Sequence, residues 1–569
     1  MNKLKVLIGT VPMSFKSNNG SFMMTKRIVV LLSVLSYIAI ESTAQQVEAT
    51  GRLVEHQPTM TQTIDGESFD ISAYQSMELD GIINQYMEND DAQGQVFWLE
   101  GDKNYHITAN IALYKGMTLA TQPQDAAKGR RATLFLNGLS QKEVLGDGGV
   151  LRERQSHTAT FFLGRQAREG EEPATVLSID GIHFADLDIC VPLAYNSGHT
   201  AEGIGRCSGN YFINMFADGL ETDARLIEWR NCSFQGLIRG FFRVQGSRDC
   251  HVSQIRLEGC EFYNCGYYDA LSSSGSYGYI FADLNQKPKS NVLADVEVAE
   301  CTFYNSPLGT LVSDNGRNVN WDESVRWTIN VHHNTFVNFY TASPRFSLMR
   351  TDYIPGGSTL AFHDNLILLT KDVADTQRTM FSGGWKTKTC QGGDGSGRCT
   401  FNVYNNWTTN DEAYFVGGQP FTDYAFTATA NAPGLWIATW GDTGFPYGAD
   451  ELKVHIDANL QATDLMASPA PKHFISEEMP SPQDYHTDDL GGLYYQDTEA
   501  VRNSAIVRQQ VGAAKWRNGV QAPSGIADTH VTPSDENRRS NMIFNLKGQQ
   551  TERIPQKGIY IKNNKKYVK

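Results

Sequence analysis

Seven segments in the middle of the chain share one pattern of apolar and polar positions. They are LSIDGIHFAD (177–186), IEWRNCSFQG (227–236), IRLEGCEFYN (255–264), VEVAECTFYN (296–305), INVHHNTFVN (329–338), LAFHDNLILL (360–369) and FNVYNNWTTN (401–410). Each opens with alternating apolar residues, the period of a strand. A Gly, Asn, His or acidic residue follows, then Cys or Asn, a skipped position, and usually Phe. With the Cys/Asn position as marker, Cys232, Cys260, Cys301, Asn334, Asn365 and Asn406 lie 28, 41, 33, 31 and 41 residues apart. That spacing suits successive coils of a solenoid, each with short strands and loops of varying length. A single coil cannot bury its apolar face, so it stacks on the next at roughly 4.8 Å, the spacing of parallel strands. The expectation is an all-β chain, a right-handed parallel β-helix. Cys232, Cys260 and Cys301 are then an inward thiol ladder, behaving as small buried hydrophobes. Phe234, Phe262, Phe303 and Phe336 form an aromatic stack beside it. The Asn markers are expected to hold the bend, because Asn tolerates the left-handed conformation.

The flanks extend the pattern. Residues 70–92 place Met77, Ile82, Ile83, Tyr86 and Met87 at helical spacing. Strand-like runs follow at 96–101, 105–107, 111–121 and 132–138. A short amphipathic helix ahead of the first coil is expected to close that open end, which otherwise exposes a sheet edge. The predicted organisation is 47–160 for this N-terminal cap and first coils, 161–415 for the β-helix and 416–520 for an irregular C-terminal cover. The polar, Pro/Ser-containing stretch 521–541 reads as a linker. Residues 542–569 read as a strand, a Gly turn, a second strand (GIYI), an Asn-Asn turn and a basic end.

Over about 70–415 this arrangement resembles the pectin-lyase-like superfamily of right-handed parallel β-helices. It is most similar to secreted members associated with polysaccharide utilisation. The resemblance rests on pattern and implies action on a glycan. The tail MIFNLKGQQTERIPQKGIYIKNNKKYVK (542–569) resembles the C-terminal sorting tails of type IX secretion cargo. That likeness implies a partnership with secretion machinery and a place outside the cell or on its surface.

The other end agrees. Lys26 and Arg27 precede an apolar run, Ile28 to Ile40, and Ser42-Thr43-Ala44 offers small residues for cleavage. Residues 1–44 therefore read as a signal peptide, its true start at Met23 or Met24. The run is short for a membrane span, and no later stretch is apolar enough for one. The 49 basic and 63 acidic residues give a net charge of −14, which argues against nucleic acid as a partner. An acidic polysaccharide would need a local Arg/Lys cluster or a bridging Ca²⁺. Nine cysteines is an odd number. Cys390 and Cys399 flank a Gly-rich loop and read equally as a local disulfide or as two free thiols.

Chemistry is expected on the outer face of the sheets, in a groove walled by long loops. Aligning GFFRVQG (240–246), YIFADLN (279–285), TLVSDNG (310–316) and RFSLMRTDY (345–353) brings Arg243, Asp283, Asp314 and Arg350 near one row, with Asp352 close by. Tyr268, Tyr279, Trp321, Tyr340 and Tyr353 supply rings that would stack on sugar faces. On a lyase reading, Arg243, Arg345 and Arg350 are the catalytic candidates. Asp283, Asp314 and Asp352 are the candidate Ca²⁺ ligands. β-Elimination of a uronate needs its carboxylate neutralised and a base near the C5 proton. A hydrolase would instead pair two of the aspartates. Residues 329–350 resemble, in outline, the pectate lyase stretch ending in Arg-x-Pro-Arg; Pro344-Arg345 matches, and Ala342 stands where that family has its catalytic arginine. The plain structural reading has Arg345 and Arg350 in inter-coil salt bridges, and His332 and His333 flanking a turn. The alternative to an enzyme is a non-catalytic glycan-binding or surface protein.

Overall fold

The computed structural model describes residues 51–55, 61–64, 67–70, 78–89, 94–107, 110–136, 159–172, 175–190, 211–215, 219–235, 240–245, 248–263, 265, 279–285, 287–304, 310–312, 321–337, 349–350, 355–368, 381–382, 400–410, 454–468, 490–522, 543–545, 550–551, 559–562 and 565–568. The N-terminal signal segment, the linker, and Cys390 and Cys399 lie outside the described residues. Every element named below belongs to the unit Arg52–Lys569.

From residue 95 to 312, successive strands pass to three sheets in turn, each parallel throughout; beyond that Met349–Arg350 and Phe381–Ser382 pair in a two-stranded parallel sheet of their own, while the first two sheets continue. The first sheet has ten strands, among them Glu221–Arg230, Cys250–Glu258, Asp295–Ala299, Thr328–His332, Thr359–His363 and Thr400–Tyr404. The second also has ten, among them Ser233–Gln235, Glu261–Tyr263, Thr302–Tyr304, Thr335–Val337 and Leu366–Leu368. The third has six: Ile111–Leu113, Ala159–Leu163, Tyr211–Met215, Gly240–Gln245, Tyr279–Asn285 and Thr310–Val312. The first-sheet register pairs Ile227 with Ile255, then Val296, Ile329, Leu360 and Phe401. These steps equal the marker spacings in the sequence, so every marker stacks on the next.

The bend from first to second sheet is one or two residues long from Asp186 onward. Its left-handed residue is the one before the marker: Asp186, Asn231, Gly259, Glu300, His333, Asp364 and Asn405 all have φ between 49° and 63°. This corrects the expectation that the marker Asn itself takes that conformation. The parallel hydrogen bonding continues through the bend. Asn231 N donates to Glu258 O at 2.9 Å, and Thr302 N donates to Cys260 O at 2.8 Å. The marker side chains point inward and are fully buried. Asn334 Nδ2 donates to Val298 O at 2.9 Å, Asn365 Nδ2 to Val331 O at 3.0 Å and Asn406 Nδ2 to Phe362 O at 2.9 Å. Cys260 and Cys301 direct their thiols at the equivalent carbonyls of Trp229 and Leu257, at 3.4 and 3.5 Å. Burial pushes the Cys232 and Cys260 thiols well up, so they are inert. Beside them Phe234, Phe262, Phe303 and Phe336 stack with centroids 4.8–5.0 Å apart.

The helix Glu78–Glu88 buries Leu79, Ile83 and Met87 and lies against strands Asn104–Ile107 and Ile111–Leu113. The run 111–121, read as one strand, is two strands of different sheets, Ile111–Leu113 and Met117–Thr121. The corner between them passes Gly116, where a Cβ would meet Gly181 O at 3.2 Å.

Residues 490–522 form a strap along the outer face of the second sheet. Trp516 is buried and donates from Nε1 to Thr302 Oγ1 at 2.7 Å; Ala513 N donates to Thr335 Oγ1 at 2.9 Å; Lys515 pairs with Glu261. The tail forms a separate antiparallel sheet from Ile543–Asn545, Gln550–Thr551, Ile559–Lys562 and Lys565–Val568, so its basic end is itself a strand.

Asn365→Ala leaves Asn334 N and Val331 O without their partners and is expected to cost on the order of 2–4 kcal/mol. Asn365→Cys keeps a donor toward Val331 and should cost less; urea denaturation midpoints check both. Gly512→Ala places a Cβ 2.9 Å from Leu366 Cβ at a φ of +76°. It is expected to loosen the strap, seen as faster cleavage within 490–522 in limited proteolysis and a red shift of Trp fluorescence.

Candidate functional site

Coil length varies almost wholly at the two ends of the third sheet. From Asp186 onward the bend between first and second sheets is fixed, whereas the connections into the third sheet range from 236–239 to 191–210 and those out of it from 246–249 to 313–327. Long insertions on both edges of one sheet are how a solenoid builds walls beside a face.

The third sheet also carries three of the predicted site residues, Arg243, Tyr279 and Asp283. Arg243 is in register with Asn214 on one side and Ala282 on the other. Asp283 is thus one position past the register partner of Arg243, next to a register shift between Arg243 and Gln245. Tyr279 pairs with Gly240 and Thr310. Arg350 lies on Met349–Arg350, beside Thr310–Val312 and paired with Phe381–Ser382. For Tyr279, Asp283 and Arg350 the backbone alone is described. Arg345, Tyr268, Tyr340, Tyr353, Asp314 and Asp352 lie outside the described residues.

Trp321 is a correction. It is 3% exposed and meets Trp327 edge-on at 5.4 Å, inside the core. Its ring offers no face to a sugar. Much of the sheet is likewise closed. Phe212 and Ile213 are consecutive and fully buried, as are Phe241 and Phe242. All four belong to the buried core, where Phe212 meets Phe161 edge-on at 5.1 Å and Phe242 meets Phe281 edge-on at 6.2 Å. The next row is less buried, with Phe162 and Arg243 part-buried on either side of buried Asn214.

A second polar constellation lies on the outer face of the first sheet, where it meets the second. His183 Nδ1 is 2.9 Å from Glu228; Arg256 pairs with Asp295 and, at 3.4 Å, with Glu297; Glu297 Oε1 is 3.1 Å from His332 Nε2. His332 and His363 occupy one row and stack at 5.1 Å, and His363 stacks on Tyr404 at 4.6 Å. His332 Nδ1 is 2.8 Å from Nδ1 of His333, the left-handed residue of the bend. His363 Nδ1 is 2.6 Å from Asp364 Oδ2, and its Nε2 is 3.0 Å from Asn330 Oδ1. The sequence places His332 and His333 at a turn, and His333 forms it. The pairing with Glu297 and His363 leaves no local signal, because those residues are more than thirty positions away.

Burial pushes the His333 imidazole below its usual range, helped by His332 and His363 and opposed by Asp364 and Glu300. Burial raises the Asp364 carboxyl, but hydrogen bonds from His363 and Asn405 outweigh it and hold the group below the usual carboxylate range. Among the described residues, no set of three His, Cys, Asp or Glu side chains is arranged to hold a metal ion. No described helix is long and apolar enough to cross a membrane. No protein-family model matches the chain, and no curated protein is significantly similar to it.

Both shifts act on stability in the same sense. The unfolded chain binds more protons than the folded one below pH 6.5 at His333 and below pH 3.8 at Asp364. The stability from each is complete above those values and is lost as pH falls through the lowered folded value. Thermal midpoints should therefore drop between pH 7 and pH 5. His333→Asn, which keeps a residue tolerant of the left-handed bend, should flatten that slope.

Proposed function

We propose that this protein is an exported, right-handed parallel β-helix of the pectin-lyase-like kind that acts on an extracellular polysaccharide. The observation that carries the reading is topological. The third sheet, with its longest insertions at both ends, also holds Arg243 in a part-buried row beside the core.

The chemistry follows from that placement. A half-buried guanidinium has a lower-dielectric setting than a surface one and presents a rigid fork to a carboxylate. In a uronate chain it would neutralise the carboxylate and acidify the C5 proton, with Arg350 or Arg345 nearby. Asp283, Asp314 and Asp352 would hold Ca²⁺ where a second positive charge is needed. Tyr268, Tyr279, Tyr340 and Tyr353 would supply stacking surface from the walls. The tail and the N-terminal signal would deliver the protein to the cell exterior.

The test is incubation of the full chain with polygalacturonate, alginate and glycosaminoglycans, with and without Ca²⁺. Unsaturated product is followed by its ultraviolet absorbance. Arg243→Ala is expected to lower the rate by about 10²-fold. Absence of product together with retarded migration in a glycan-affinity gel would leave a binding protein. Absence of both ends the glycan reading.

A further inference from the structure

The bend between the first and second sheets holds a chemical arrangement that the third-sheet reading does not use. His333 projects from the turn ladder with Glu300 on the coil before it and Asp364 on the coil after. Its Nδ1 contacts His332 Nδ1 at 2.8 Å, and His332 Nε2 contacts Glu297 Oε1 at 3.1 Å. Glu297 in turn takes Arg256 at 3.4 Å.

The hydrogens follow from what each group can do. A carboxylate only accepts, so His332 Nε2 carries the proton in its contact with Glu297. In a neutral His332 the other nitrogen, Nδ1, is then an acceptor. The proton between the rings therefore belongs to His333 Nδ1, and His333 Nε2 is left with a lone pair. No hydrogen bond among the described residues engages that nitrogen, and it is not among the buried atoms left unsatisfied. By contrast, both ring nitrogens of His332 and of His363 are occupied. Of His332, His333 and His363, His333 is thus the one whose second nitrogen is left without a partner; His183, held by Glu228 through Nδ1, is a strand residue away from the bend. This is how a carboxylate-oriented imidazole is prepared as an acceptor.

We propose that His333 Nε2 is a surface hydrogen-bond acceptor, positioned by Glu297 through His332, for a hydroxyl-bearing ligand such as a saccharide. The flanking groups fit that class. Glu300, which accepts from Ala514 N, and Asp364, which accepts from His363 and Asn405, are carboxylates with further lone pairs, so the corner presents acceptors and calls for a ligand that brings O–H donors. A ligand hydroxyl donates to Nε2 with its O–H bond intact, while Nδ1–H stays on His333, still donating to His332. The groups facing the ring are Glu300, Asp364, His332 and His363. Burial and the two rings keep it neutral, the form that can accept; the two carboxylates oppose this. His333 would be the ligand-binding residue here, with His332 and Glu297 as positioning residues.

The experiment reads the ring directly in the full chain. Nitrogen-15 NMR of the histidine rings, with His333 assigned by loss of its signals in His333→Asn, is expected to show the Nδ1–H tautomer at pH 7. Diethyl pyrocarbonate, followed peptide by peptide, should modify His333 roughly tenfold faster than His332 or His363, because only a neutral, open nitrogen reacts. Glu297→Thr keeps a strand-compatible residue on an exposed position. It is expected to shift the His333 tautomer ratio and slow its modification several-fold with the thermal midpoint unchanged, which a purely structural role would not do. An Nε2–H tautomer at His333, or modification no faster than at His332, overturns the proposal.

Discussion

Everything in the solenoid depends on the bend between its first and second sheets. A left-handed residue turns the chain, and the next side chain goes inward to bond the coil before it. Backbone hydrogen bonds run through the bend without a break, from Asn231 N to Glu258 O on one side and from Glu261 N to Cys232 O on the other. From Asp186 onward this bend keeps one length, since a single inserted residue would turn the following strand's side chains to the wrong face; the first two coils instead carry longer connections, 100–103 and 122–131. Register is therefore set at this corner and carried along the axis. Asn and Cys share the inward position because both donate to the same carbonyl. Asn adds an acceptor, used by Cys301 N and Asn334 N at 2.8 and 2.9 Å.

That rigidity decides where variation can go. Since the corner is fixed, differences in coil length are displaced to both edges of the third sheet. The outer face of the second sheet is taken by the strap, whose Trp516 and Ala513 satisfy Thr302 and Thr335. The outer face of the first sheet is laced by its own charges, from His183 and Glu228 through Arg256 to Glu297. Two places remain among the described residues where side chains can meet a ligand: the part-buried row at Arg243 and the corner at His333.

The solenoid is legible in the sequence because its inward positions repeat. A Cys/Asn–x–Phe triplet needs only spacing to be read, and the strand register reproduces that spacing. The bend is harder to place to the residue, because Asn at the marker and Asn231 or Asn405 before it look alike without φ. The break inside 111–121 is marked only by Lys115-Gly116, where a charge and a glycine interrupt the apolar alternation; the alternation resumes in step at Met117, so the two strands read as one. A rough alignment puts Arg243 and Asp283 near one row, whereas the strand register pairs Arg243 with Ala282. Trp321 looks like a platform because an aromatic in a long connection has no period to show which way it faces. The strap reads only as irregular, since its partners, Thr302, Thr335 and Glu261, lie some two hundred residues earlier.

The contrast between His332 and His333 shows how a repeat can produce chemistry without a catalytic motif. His332 is a strand residue in the row that continues to His363 and Tyr404, and stacking fixes its ring plane. Its two nitrogens are consumed, one by Glu297 and one by its neighbour. His333 is a bend residue, where the same position is Glu300 one coil earlier and Asp364 one coil later. Neither of those side chains has a tautomer to be fixed. A histidine at either position alone would be an ordinary ladder member. Adjacent, across a bend that points them in different directions, the first orients the second, and the outward nitrogen is the one the ladder leaves unsatisfied.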